Sequence, residues 1–260
     1  MSVADVFNSR AMPIDAWRDF VTGHLPPHFE RAAELHGRGQ DGRVHTVVGP
    51  YSLYALKSDI LFKDAQRQVV LYDLYSQTGV SRVPHTGIQH AWRVAQNARE
   101  HGYTHMTLYA ARRSGGYVWA KAGFEIDAEA MLQKEDDIAK LASGTAQAVS
   151  QLEGLVSGET LAVLNRVNDQ VQIMKETGRV TPGQERVLWQ LADLPGRIDH
   201  EAYKLRHPGR SSRFESPLNR SPDISVRGYA LLDSKWRAIM RFDDEEPMAR
   251  FESYALANKP

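Results

Sequence analysis

Residues 77–125 read QTGVSRVPHTGIQHAWRVAQNAREHGYTHMTLYAARRSGGYVWAKAGFE, and this stretch decides the fold. Ile88, Trp92, Ala95 and Ala98 recur at spacings of four, three and three, so they share one face of a helix. Gly102 stands where a helix C-terminal cap belongs, and the strand-like run THMTLYA, 104–110, follows at once. With the apolar run 69–75 ahead of it, the block predicts a strand, a glycine-bearing loop, a helix and a second strand, a βαβ-like unit. The helix N-terminus turns its free N–H groups toward the loop, where an anion such as a pyrophosphate would sit.

Working outward, three strands are predicted upstream, at 43–48, 51–56 and 68–75, after a loop at 37–42. Residues 14–20 form an amphipathic segment with Ala16, Trp17 and Phe20 on one face, stopped by Pro26-Pro27, and predict a docking helix. Downstream, 128–205 is rich in alanine and leucine, with Leu161, Leu164, Val167, Val171 and Met174 at helical spacing. Gly144, Gly158 and Thr181-Pro182-Gly183 divide it into several helices. The Pro-, Ser-, Gly- and Arg-rich run 204–223 predicts an exposed linker, and two short strands flanking a turn at Asp233-Ser234 are expected over 226–243. The division is therefore an N-terminal helix and loop (1–42), a core (43–127), a helical insertion (128–205), a linker (206–225) and C-terminal strands completing the sheet (226–260). That order predicts an α/β or α+β sheet domain with a helical insertion.

Composition narrows the function. The 260 residues carry 32 basic and 32 acidic side chains, so no global field draws the chain to nucleic acid. There are no cysteines, which excludes disulfides, thiolate metal sites and cysteine nucleophiles. No apolar run is long enough to span a bilayer and the N-terminus lacks a secretory pattern, so no membrane is expected and the expected compartment is the cytoplasm. His85, His90 and His101 lie around the helix, but 85/90 and 90/101 do not share a helical face, so no metal site is expected and solvated or capping roles are. G-x-S-x-G, Walker and dinucleotide G-x-G-x-x-G patterns are absent, which weakens hydrolase, NTPase and dehydrogenase readings. Arg112-Arg113 would suit a phosphate of CoA or of nucleic acid, and the basic linker single-stranded nucleic acid or a protein surface, yet a surface turn and a disordered or partner-bound linker fit a neutral chain better.

The block resembles the GNAT superfamily of N-acetyltransferases. Its pyrophosphate loop follows R/Q-x-x-G-x-G/A, and Arg82-Val83-Pro84-His85-Thr86-Gly87 takes that register. The ending GYVWAKAGFE resembles the family's Tyr-x-x-x-Gly-Phe block, with Gly123 and Phe124 as its last two positions. The resemblance covers about residues 69–126 and is strongest for divergent, phage-encoded or effector-type members. It implies a GNAT-like mixed central sheet with flanking helices. It also implies acetyl-CoA as cofactor, held by Gln77, Arg82, Val83, His85, Thr86, Gly87 and Ile88, and acetyl transfer to an amine. Asp73, in the strand before the loop, is the candidate base. Trp119 occupies the position of the family's acidic tyrosine, so Tyr117 is the candidate acid, sharing a side with Trp119 if the segment is extended. His85 replaces the first glycine and Pro84 has no N–H to give. These departures support the alternative, a non-catalytic GNAT-like scaffold in a phage virion or at a host protein partner.

Overall fold

The computed structural model describes residues 31–38, 41–48, 56–76, 86–110, 115–206, 223–231 and 234–257. The chain divides into two units, Met1–Tyr109 with Ile239–Pro260, and Ala110–Ala238. The predicted helix at 14–20, the Pro26-Pro27 stop and most of the linker lie outside the described residues.

The first unit is built on a mixed sheet. Strands β1 (Arg31–Arg38), β2 (Asp41–Val48), β3 (Leu56–Lys63) and β4 (Gln68–Ser76) form an antiparallel meander. Strand β5 (His105–Ala110) pairs with β4 in parallel, and the Ile239–Arg241 end of β9 (Trp236–Arg241) lies beyond it. Helix α1 (Thr86–Glu100) makes the crossover from β4 to β5. The predicted face is the buried one, since Ile88, Trp92, Ala95 and Ala98 are all in the core, joined by Ala91 and Val94. The helix stops in a Schellman motif: Tyr103 N–H donates to Ala98 O (3.1 Å), Gly102 N–H to Arg99 O (3.0 Å), and Gly102 has φ 82°. Tyr103 then tucks its ring edge-on against Phe62, 5.5 Å between centroids.

Three expectations are corrected here. β1 occupies ground read as helix and loop, and its hairpin places Gly37 opposite Gly42. The run RAAELHGR has little intrinsic strand preference, and pairing along all of β2 overrides that. β3 begins at Leu56, where the predicted strand ended, because Ser58, Ile60 and Phe62 alternate into the core and the polar Ser58 hid that period. The C-terminal residues form not only strand but helix α10 (Glu245–Leu256). Asp244 caps it, accepting from Glu246 N, two glutamates occupy its first turn, and Met248, Phe251 and Ala255 are buried at helical spacing. Phe251 meets Trp92 of α1 edge-on at 5.2 Å.

The second unit is mainly helical. Helix α2 (Gly115–Lys121) leads to the short strand β6 (Glu125–Ile126), which is followed by α3 (Ala128–Leu132). Asp127 N–H donates to Arg237 O (2.9 Å), tying this segment to the N-terminal half of β9. Helices α4 (Glu135–Leu152) and α5 (Gly158–Thr177) pack as a pair, burying Leu141, Ala142 and Ala148 with the predicted Leu164, Val167, Val171 and Met174. Ser157 caps α5 by accepting from Thr160 N, and Gly178 ends it at φ 59°. Short helices α6 (Pro182–Glu185), α7 (Val187–Ala192) and α8 (His200–Arg206) follow, with β7 (Arg197–Asp199) paired antiparallel to β8 (Asp223–Ser225). Residues expected to begin a strand at 226 form helix α9 (Val226–Ala230). Val226, Tyr229 and Ala230 are buried at helical i, i+3, i+4 spacing, a period too short in sequence to separate from a strand run.

Candidate functional site

The parallel pair β4 and β5 is bonded over only part of its length. The register runs from Gln68 opposite His105 to Leu71 opposite Leu108 and stops there. β4 continues through Tyr72–Ser76, still paired on its other side with β3. Among the described residues the β4–β5 ladder thus ends at Leu71 and Leu108. Gln68 Nε2 donates to Thr107 Oγ1 (2.8 Å) and pins the closed end.

A bulge lies at the point of parting. Asp59 is opposite Asp73 and Ile60 is opposite Leu71, so Tyr72 is the extra residue on β4. The face carrying Ser58, Ile60, Phe62, Val69 and Leu71 is buried, and α1 lies on it: Ser58 Oγ and His90 Nε2 are 3.0 Å apart. Tyr72 alternates to the other face and is 57 % exposed. Asp73, the expected base, is on β4 beyond Leu71, opposite Asp59 of β3.

The first turn of α1 contains Thr86, Gly87 and Ile88, three of the residues expected to hold the cofactor. Their amides have no acceptor within the helix, and the turn carries no acidic side chain to compete for an anion. Gly87 and Ile88 are both buried, so Ile88 offers a main-chain N–H while its side chain fills the core. Gln77, Arg82, Val83, Pro84 and His85 lie outside the described residues, as does Arg112-Arg113. An open groove of about 560 Å³ runs between the later turns of α1 and α10, lined by Trp92, Arg99, Glu100, Glu245, Met248 and Glu252. Its three carboxylates would repel a phosphate, so it does not compete with the first turn as an anion site.

His90, expected to be solvated or capping, is fully buried against Ser58, a correction that the apolar α1 face explains, since His90 is four residues before Val94. His101 does serve the helix end, its Nδ1 lying 2.8 Å from Asn97 O. Among the described residues no group of His, Asp and Glu side chains is arranged to hold a metal ion, and no helix is long and apolar enough to cross a membrane.

In the second unit, α2 carries Tyr117 and Trp119. Because the segment is helical, two positions do not share a side: Trp119 is buried while Tyr117 is half-buried. Burial pushes the Tyr117 phenol above its usual 10.0; nearby Arg227 lowers it and Asp193 raises it further. The Arg227 guanidinium is 5.8 Å from the Tyr117 ring centre, and Lys121 Nζ bonds Asp193 Oδ1 at 2.7 Å.

The Trp-x-x-x-Gly-Phe spacing has a local physical cause. Phe124 N–H donates to Trp119 O (3.0 Å), Gly123 N–H to Ala120 O (3.1 Å), and Gly123 has φ 89°, a second Schellman stop. The rings of Trp119 and Phe124 make the accompanying apolar contact at 5.1 Å. Next in the chain, the buried Glu125 pairs with Arg186, whose guanidinium lies over Trp189 at 5.1 Å, and Trp189 Nε1 donates to Phe124 O (2.8 Å). Sequence reading found the glycine and both aromatics, but not the Ser58–His90 pair or the bulge at Tyr72, which depend on strand register. No protein-family model, curated protein or solved structure matches this chain.

Proposed function

We propose that this protein is a GNAT-like N-acyltransferase that uses acetyl-CoA or a related acyl-CoA to acylate an amine. The observation that carries the reading is the parting of parallel strands β4 and β5 after Leu71 and Leu108, with α1 beginning its first turn between them in the chain. A parallel pair that separates opens a slot whose walls are main-chain hydrogen-bonding groups, suited to an extended amide-bearing arm. The first-turn amides of Thr86, Gly87 and Ile88, which have no acceptor within the helix and no acidic neighbour in the turn, suit a pyrophosphate, and Arg82 would add a charge-assisted contact.

When bound, an acyl-CoA supplies an activated thioester carbonyl. The chain's part is then electrostatic and positional. Main-chain N–H groups of β4 beyond the end of its pairing with β5 would stabilise charge developing on the carbonyl oxygen. Asp73, beyond Leu71 on the same strand, would take a proton from the acceptor's ammonium, so that the neutral amine attacks the carbonyl. Tyr117, the phenol nearest in sequence to the position of the family's acidic tyrosine, is the candidate donor that the resemblance offers for the leaving thiolate; burial raises it above its usual 10.0.

A second reading, a non-catalytic scaffold of the same architecture bound to a protein partner, is favoured by one observation. Trp119 is locked in the Schellman contact with Phe124 where the family carries a phenol. Calorimetric titration with acetyl-CoA and CoA separates the two. Saturable binding that weakens about 10- to 100-fold in Arg82→Ala supports the transferase. Absence of heat at millimolar ligand sinks it and returns the scaffold.

A further inference from the structure

The groove between α1 and α10 lies within the first unit, and its walls are two regular stripes. Trp92, Gln96 and Glu100 recur at spacings of four along α1. Glu245, Met248, Ala249 and Glu252 stand at i, i+3, i+4 and i+7 along α10, so each helix turns one face toward the groove. Two helical turns from Glu245 to Glu252 give this trough a length of about 10 Å. Part of its lining is apolar, from the nearly buried Trp92 and Met248 and the exposed Ala249. The rest is acidic, since Glu100, Glu245 and Glu252 are all exposed and Arg99 is the one cation of the lining. Among the described residues none of these three glutamates makes an ion pair. Helix stability accounts for Glu245, in the first turn of α10, but not for Glu100, which ends α1 where a carboxylate meets the negative end of the helix. Three carboxylates against one guanidinium, on a chain of zero formal net charge, make a local negative field complementary to a cationic partner.

We infer that this groove is a docking surface for a basic amphipathic segment of a partner protein, whose apolar side chains seat against Trp92, Met248 and Ala249 while flanking lysines or arginines reach Glu100, Glu245 and Glu252. An open trough walled by two helices suits a helical segment, which offers its anchors at i, i+3, i+4 and i+7. The apolar residues supply contact area, and the carboxylates select the sign of the partner. The inference does not rest on the acyltransferase reading and holds equally for the scaffold.

The test uses the full chain and two fluorescein-labelled peptides, KAALLAAKAALLAAK and its counterpart EAALLAAEAALLAAE, followed by fluorescence anisotropy. Their charges and leucines repeat the spacing of the α10 stripe. The wild type is expected to bind the lysyl peptide about three- to thirtyfold more tightly than the glutamyl peptide, the yield of two or three exposed charge pairs, with a margin that shrinks in high salt. Glu100→Gln/Glu245→Gln/Glu252→Gln should erase that preference. Ala249→Trp, which fills the trough and leaves every charge in place, should weaken the lysyl peptide by about threefold or more. Circular dichroism checks that both variants fold, which the exposure of all four positions favours. Equal binding of the two peptides by the wild type overturns the inference, as does failure of the lysyl peptide to saturate at millimolar concentration. A preference that survives the triple variant, or binding untouched by Ala249→Trp, overturns it too by placing the peptide elsewhere. Sedimentation equilibrium covers the other occupant: a dimer of the free chain that Ala249→Trp dissociates gives the groove to a second copy and overturns the inference as well. None of these outcomes bears on whether acetyl-CoA binds.

Discussion

Replacing Ser58 by alanine tests how α1 is anchored, and with it the placement of the amides in its first turn. Ser58 Oγ and His90 Nε2 are 3.0 Å apart and both residues are 0 % exposed, so water cannot take the place of a lost hydroxyl. A buried polar group deprived of its partner costs about 1–3 kcal/mol, and loss of one hydroxyl leaves too small a void to add much. For a chain of this size that corresponds to a fall in Tm of roughly 2–12 °C. His90→Leu should cost a similar amount by stranding the serine. The double variant Ser58→Ala/His90→Leu removes both polar groups and should cost less than the sum, with a coupling of about 0.5–3 kcal/mol. Urea unfolding followed by fluorescence reports directly, since Trp92 is on the same helix. Hydrogen exchange in the first two turns of α1 should quicken in Ser58→Ala. A Ser58→Ala change within 0.5 kcal/mol of wild type, or strictly additive single variants, would refute the anchoring argument.

Three further outcomes are expected. Gly116→Ala would place a Cβ 2.0 Å from Ser234 Oγ and 2.9 Å from Leu231 O, an overpacking of about 1–3 kcal/mol, whereas Gly102→Ala meets nothing within 4 Å and bears only the strain of φ 82°. Gly102→Asn should therefore be tolerated and Gly116→Asn should not, as thermal denaturation will show. Arg186→Met leaves Glu125, whose side chain is 1 % exposed, without its cation and should cost about 3 kcal/mol, most of it recovered in Glu125→Leu/Arg186→Met. Spectrophotometric titration should find a phenol ionising above 10.0 that disappears in Tyr117→Phe and moves down in Asp193→Asn. Since the unfolded chain sheds that proton first, Tyr117 should make stability fall as pH climbs past 10.0, and Tyr117→Phe should flatten the decline.

Local signals carried the parts of this fold that depend on neighbours in the chain. The face of α1 was legible because Ile88, Trp92, Ala95 and Ala98 repeat within one helix, and its end because Gly102 meets the demand for a left-handed residue. The α5 stripe was legible for the same reason. Helix α10 was equally open to such reading, with Asp244 as cap, Glu245 and Glu246 in the first turn and Met248, Phe251 and Ala255 at helical spacing, but the adjacent strand drew the reading through it. β1 carried no comparable mark, since alanine and glutamate do not favour strands.

By itself, then, the sequence determined the strand–helix–strand unit, the helical run after residue 128 and the glycine stops, all set by periods and caps a few residues long. Tertiary structure alone decided that β3 and β4 slip by one residue at Tyr72, that Ser58 finds His90, and that β4 and β5 part after Leu71. Each of those depends on which residue of one strand lies opposite which residue of another, and no local preference encodes that pairing.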